Sequence, residues 1–147
     1  MQEKATGQAK LNSQRKILVM DDEDLLTTFT ARMLRRIGYE VEVASDGAEA
    51  IDLYRRAKDS KKPFDAVILD LTIRGGIGGE EALKKLYEID SEVKAIASSG
   101  YSNDPVIAGF IEYGFHGAIV KPYKIDEMNE VVSRVIGTPE NRQALRY

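Results

Sequence analysis

Cysteine is absent from the 147-residue chain, which excludes disulfides, thiolate nucleophiles and cysteine-ligated zinc or iron–sulfur centres. A single histidine, His116, rules out a multi-histidine metal site or a histidine relay. No apolar run approaches the roughly 20 residues that span a bilayer. The N-terminus also lacks the apolar core of a signal peptide, so a cytoplasmic location without membrane contact is expected. Excess positive charge is missing as well: 21 basic residues face 24 acidic ones, a net charge of −3. The basic residues form no stripe, and nothing points to a nucleic-acid partner. What is present is an ordinary globular composition, 43% hydrophobic and 31% charged, enough for one domain with a core and short tails.

Residues 1–15 (MQEKATGQAKLNSQR) hold almost no large apolar side chain and read as a flexible tail or linker. Lys16-Ile-Leu-Val-Met20 is a short apolar run that stops at Asp21-Asp22-Glu23-Asp24, a buried strand ending in four acids. A helix then begins at Glu23 or Asp24, where carboxylates suit the positive helix end. It carries Leu26, Phe29, Met33 and Ile37 inward and stops at Gly38. Residues 39–44 alternate Val41 and Val43 with Glu40 and Glu42, a strand with one face partly wet. Ser45-Asp46-Gly47 turns the chain into a second helix near 48–57, and a polar loop over 58–63 leads to the third strand. Its centre, Ala66 to Leu69, is continuously apolar and ends at Asp70, as a strand buried on both faces requires.

After the glycine-rich stretch 72–79, the spacing predicts a helix over 80–89 with Leu83 and Leu86 inward. A fourth strand follows over 93–97 and ends at Ser98-Ser99-Gly100. A helix starts at Pro105, a residue suited to the first helical position, and runs through Ile107, Phe110 and Ile111 to Gly114. Residues 117–120 form a fifth strand before Lys121-Pro122. A last helix covers 126–136, stopped by Gly137. Residues 138–147 read as a polar tail, which leaves 16–137 as the domain.

Five strand–helix pairs in strict alternation, without internal repeats, argue for a single α/β domain: a five-stranded parallel sheet with five helices on its two faces. Right-handed crossovers leave few arrangements. The doubly wound, flavodoxin-like order 2-1-3-4-5 leads among them, with its switch point between the first and third strands. That order brings Asp21, Asp22 and Asp70 to the sheet edge where open α/β folds place their reactive groups. Taken alone, Asp70 is equally a turn residue after a strand, and Glu23 and Asp24 equally a solvated helix start. Crowded carboxylates, however, repel one another unless a cation neutralises them. Mg²⁺ takes one or two protein carboxylates and leaves room for phosphate oxygens. Lys121 arrives at the same edge from the fifth strand, where an ammonium can neutralise a carboxylate or hold a phosphoryl oxygen. Pro122 allows a cis peptide between Lys121 and itself. Ser98 or Ser99 supplies a hydroxyl from the fourth strand, although serine there is often only a turn residue.

Val-Met-Asp-Asp-Glu after the first strand, Val-Ile-Leu-Asp-Leu at the third, Ser-Ser-Gly-Tyr at the fourth and Val-Lys-Pro-Tyr at the fifth stand in order at 19–23, 67–71, 98–101 and 120–123. Together they resemble the receiver domain of two-component response regulators, across roughly Lys16 to Gly137. Ser-Ser-Gly-Tyr-Ser-Asn-Asp-Pro is most similar to receivers of hybrid sensor histidine kinases. The resemblance implies a phosphoacceptor rather than an enzyme in the usual sense. Asp70 would take a phosphoryl group from a histidine kinase or phosphotransfer protein, assisting its own modification and dephosphorylation. Mg²⁺ would be held by Asp22 and Asp70, by Asp21 often through water, and by the backbone carbonyl of Thr72. Lys121 would neutralise the phosphoryl oxygens. Ser99, favoured over Ser98 because Gly100 follows it, would turn in to bond the aspartyl phosphate. The fourth helix, fifth strand and last helix would form a signalling face and a possible homodimer surface.

Two positions depart from the family's pattern, and a third bears on how long the phosphoryl group lasts. Arg74 stands four residues after Asp70 in place of the usual proline, so a more mobile loop is expected. Ala118 replaces an aromatic that elsewhere rotates with the hydroxyl residue, so that rotamer switch is not available. Tyr101, two residues after Ser99, is placed to shield the phosphoryl site and lengthen its lifetime. Three other functions compete. A receiver-like binding module would signal without phosphorylation, but the acids and Lys121 are all retained. A flavin carrier would need a hydroxyl- and glycine-rich phosphate cradle where this chain has Asp21-Asp22-Glu23. An aspartyl phosphatase would carry a second aspartate where this chain has Thr72.

Overall fold

Apolar runs of the length seen at 16–20 and 66–70 cannot leave their backbone groups unpaired in a core, so they must find partners on both sides. In a computed structural model that describes residues 15–137, β1 (Lys16–Met20) and β3 (Ala66–Asp70) lie side by side at the centre. β2 (Glu40–Ala44), β4 (Ala95–Ser99) and β5 (Gly117–Val120) complete a five-stranded sheet in the order β2-β1-β3-β4-β5. Every pairing is parallel. The expected tails lie outside the described residues apart from Arg15, whose guanidinium donates to the Gly137 carbonyl.

Successive side chains on a strand point to opposite faces, and here that alternation sorts them into two cores. Leu18, Met20, Val67, Leu69, Ala95 and Ala97 pack against α2 (Gly47–Lys58) and α3 (Gly79–Ile89). Ile17, Val19, Ala66, Ile68, Ile96 and Ile119 pack against α1 (Asp24–Ile37) and α5 (Ile125–Ile136). Each large aliphatic side chain buried this way contributes about 1.5–3 kcal/mol. The sheet is therefore fixed on both faces, with its C-terminal edge left open to carry a site.

Three expectations are corrected. α1 does not turn Phe29 inward: Phe29 is 51% exposed, and Thr27, Thr30, Ala31, Met33 and Leu34 form the buried stripe. Burying Thr27 is tolerable because its hydroxyl donates to the Asp24 carbonyl at 2.9 Å. The fourth strand reaches Ser99 instead of ending at Ala97, since Leu71 N–H donates to the Ser98 carbonyl and Lys121 N–H to that of Ser99. Both serines thus belong to the sheet.

The third correction is the helix expected from Pro105 to Gly114. Only α4 (Pro105–Ala108), one turn, forms. Gly109, at φ −118° and ψ 46°, leaves helical geometry, and Glu112, Tyr113 and Gly114 close three-residue turns onto Gly109, Phe110 and Ile111. Two glycines within six positions and the branched residues Val106, Ile107 and Ile111 weaken helix propensity. The expected signalling face accordingly comprises α5, β5 and a run of turns in place of a full helix.

Candidate functional site

The parallel register determines which strand ends meet. Met20 pairs with Leu69 and Asp70 with Ser98, so Asp21 and Asp70 leave adjacent strands at the same level. Ser99 pairs with Val120, which places Lys121 one step beyond β5 on the same edge. The Lys121–Pro122 peptide is cis. Oxygen atoms of Asp21, Asp22 and Asp70 lie within 4.8 Å of one another, Asp21 and Asp70 buried and Asp22 exposed. The Lys121 ammonium bridges the two buried acids, 2.7 Å from Asp21 Oδ2 and 3.3 Å from Asp70 Oδ1.

The electrostatics follow from this crowding. Burial, reinforced by the Asp21 charge and opposed by Lys121, raises the Asp70 carboxyl from 3.8 to about 6. It is therefore ionised at neutral pH but at a cost that a cation would remove. Burial works against charge on Lys121, yet the bond to Asp21 and the charge of Asp70 outweigh it and hold its pKa above the ordinary lysine value. Backbone donors complete the arrangement: Glu23 N–H reaches Asp21 Oδ1 at 3.0 Å, Thr72 N–H reaches Asp70 Oδ1 at 3.4 Å, and Arg74 N–H reaches Asp22 Oδ2 at 3.2 Å.

All of these groups but Asp21 line a cleft of about 470 Å³. Asp22, Glu23 and Asp70 face Lys121 in it, and Thr72, Arg74, Gly100 and Tyr101 form its rim. Asp21, Asp22 and Asp70, all oxygen donors, match what a hard divalent cation such as Mg²⁺ requires, with space beside them for waters and a phosphoryl group. Neither serine lines the cleft. Ser98 Oγ is hydrogen-bonded to the Tyr123 hydroxyl, and Ser99 Oγ accepts the Tyr101 N–H at 3.0 Å. Both are almost fully buried. Tyr101 is 66% exposed, so its ring stands at the rim.

Two features escaped sequence reasoning. Tyr123 is buried on the α1/α5 side of the sheet and ties the loop after β5 to Ser98. Its phenol is pushed up to about 12 by burial, with the Ser98 bond pulling the other way. An aromatic directly after Lys121-Pro122 was the available signal. The second is the Arg74 N–H, a donor that the usual proline would not have. The loop behind Asp70 is held as well as glycine-rich: Arg74 is tied to Asp22, and Gly47 N–H donates to the Ile77 carbonyl. A Cβ on Gly79 would lie 2.9 Å from the Asp70 carbonyl oxygen, so this glycine is what lets α3 start against the end of β3.

Comparison with known proteins agrees with this geometry. The model of the response regulator receiver domain family matches residues 17–133. Sporulation initiation phosphotransferase F of Bacillus subtilis is 29% identical over 126 residues, covering 86% of this chain and 97% of that protein. The CAI-1 autoinducer sensor kinase/phosphatase CqsS of Vibrio cholerae is 34% identical over 130 residues, covering 86% of this chain but 18% of the kinase. Among solved structures, response regulator protein TrrA of Thermotoga maritima, in complex with Mg²⁺ and BeF, is 28% identical with a TM-score of 0.68. That match covers 82% of this chain and 98% of TrrA.

Proposed function

The chain belongs to the response regulator receiver domain family of two-component phosphorelays, and from that premise we propose that Asp70 is its phosphoacceptor. The observation that carries the reading is the convergence at one sheet edge: three carboxylates from two strand ends within 4.8 Å, the two buried ones bridged by a half-buried ammonium from a third. In the proposed reaction an Asp70 oxygen attacks the phosphorus held on a partner's histidine. The P–N bond breaks, its electron pair stays with the imidazole, and an acyl phosphate forms on Asp70. Mg²⁺ held by Asp21, Asp22, Asp70 and the Thr72 carbonyl would neutralise charge on the phosphoryl oxygens. Lys121 is within reach of the acceptor oxygen and would follow the phosphoryl group as it bonds. Ser99 is the hydroxyl assigned to the modified state, because Ser98 is already engaged by Tyr123.

The donor is proposed to be a histidine kinase or phosphotransfer protein. The chain itself is proposed to act as an acceptor that assists its own dephosphorylation, without turnover of an external substrate. Among the described residues no helix is long and apolar enough to cross a membrane. A receiver over 16–137 within a hybrid kinase is one arrangement, supported by the similarity to CqsS, and a stand-alone receiver is the other, supported by the similarity to sporulation initiation phosphotransferase F. Incubation with acetyl phosphate tests the function: one added phosphoryl mass is expected with Mg²⁺ and none after chelation. Modification that ignores Mg²⁺ would overturn the metal-assisted mechanism.

A further inference from the structure

Arg74 stands four residues after Asp70 and lines the same cleft as Asp70 and Lys121. Its main chain is committed, with the N–H donated to Asp22 Oδ2 at 3.2 Å. Its side chain is not: among the described residues no carboxylate pairs with the guanidinium, although Asp22 and Glu23 share the cleft. The surrounding loop is packed at one end and open at Gly75. Cβ atoms on Gly78 and Gly79 would each lie 2.9 Å from a carbonyl oxygen, of Leu71 and Asp70 respectively, so that end is packed onto β3. Gly75, the next residue after Arg74, has φ +69° and nothing within 4 Å of a Cβ position. A side chain anchored by its backbone beside such a pivot can swing without disturbing α3.

Lys121 cannot serve the phosphoryl group undivided, because its ammonium is also 2.7 Å from Asp21. Phosphorylation replaces a monoanionic carboxylate with an acyl phosphate of up to two negative charges. A guanidinium presents a planar fork of donors that matches two phosphoryl oxygens at once. We propose that Arg74 is a second cationic contact for the phosphoryl group on Asp70, reaching it from the rim of the cleft while Lys121 holds it from the β5 side. The inference rests on Asp70 being the acceptor. It adds no covalent step; Arg74 binds charge that Asp70 has acquired.

Beryllium fluoride, which stands in for the phosphoryl group, provides the test. The wild-type protein, Arg74→Gln and Arg74→Lys are titrated with it at saturating Mg²⁺ and the adduct followed by ¹⁹F NMR. Mg²⁺ affinity is measured separately by calorimetry without fluoride. Arg74→Gln is expected to bind beryllium fluoride about tenfold more weakly and Arg74→Lys about threefold, as loss of a partly exposed charge-assisted contact requires. The wild-type advantage over Arg74→Gln should shrink at high salt, and Mg²⁺ affinity should stay within about twofold, since the bond to Asp22 belongs to the backbone. Equal beryllium fluoride affinity in the wild type and Arg74→Gln overturns the inference. So does a matching loss of Mg²⁺ affinity, which would place the effect on Asp22. A wild type that forms no adduct at all overturns the acceptor reading and this inference with it. Arg74 is exposed, so the variants are expected to fold; Arg74→Lys keeps the comparison open if Arg74→Gln does not.

Discussion

At the scale of single residues the site is a balance between burial and charge. Asp70 is raised to about 6 by burial first and Asp21 second, so in metal-free protein its ionisation opposes folding. The sign follows from proton linkage: the folded state holds the proton more tightly, so this stability is fully present below the unfolded value of 3.8 and is lost as pH rises through about 6. Asp70→Asn should therefore match wild-type stability near pH 4 and exceed it by roughly 1–3 kcal/mol at pH 7.5. Urea unfolding at a series of pH values without metal measures the difference, and a variant less stable at pH 7.5 would contradict the electrostatic account. Tyr101 is argued on geometry alone. It stands exposed at the rim, where a ring can keep attacking water from an acyl phosphate. Tyr101→Ala should shorten the phosphoaspartate half-life about three- to tenfold, read by the decay of the modified mass after the phosphodonor is removed.

At the scale of elements, the parts legible in the sequence were those where one physical rule dominates. Buried strands such as 66–70 read clearly because both faces need apolar side chains, and the acids at 21, 22 and 70 follow from strand order alone. The failures came where two rules competed. In α1 the helical period is right but rotated, because Thr27 can be buried once its hydroxyl bonds the helix's own backbone. In α4 the Pro105 start signal held, but Gly109 ended the helix after one turn. The Ser98–Tyr123 link and the Arg74 N–H depend on tertiary approach and carry no local pattern. Two predictions belong here. Amides of 109–114 should exchange with solvent much faster than those of β4 and β5, since short turns without a packed helix open locally. Gly79→Ala should cost about 1–3 kcal/mol in thermal unfolding, because the new methyl would meet the Asp70 and Leu69 carbonyl oxygens at 2.9 and 3.2 Å. It should slow phosphorylation as well, since the same backbone carries the acceptor.

At the scale of the whole molecule, a rigid two-faced sheet delivers groups from four strand ends to one cleft, and a ligand there must stabilise the fold. A cation that binds the native acid cluster adds stability that grows with the logarithm of its concentration, about 1.4 kcal/mol at tenfold excess over its dissociation constant. Mg²⁺ should therefore raise the melting temperature of the wild type at pH 7.5 and chelation should reverse it, with a much smaller response in Asp70→Asn. The central claim is that Asp70 itself carries the phosphoryl group, and chemical trapping reads that position directly. Protein treated with acetyl phosphate and Mg²⁺ is reduced with borohydride, which converts an aspartyl phosphate to homoserine, and the peptides are sequenced by mass spectrometry. Homoserine at position 70, and its loss in Asp70→Asn together with the added phosphoryl mass, is the predicted result. Trapping at Asp21, Asp22 or any other acid while Asp70 stays intact would contradict it.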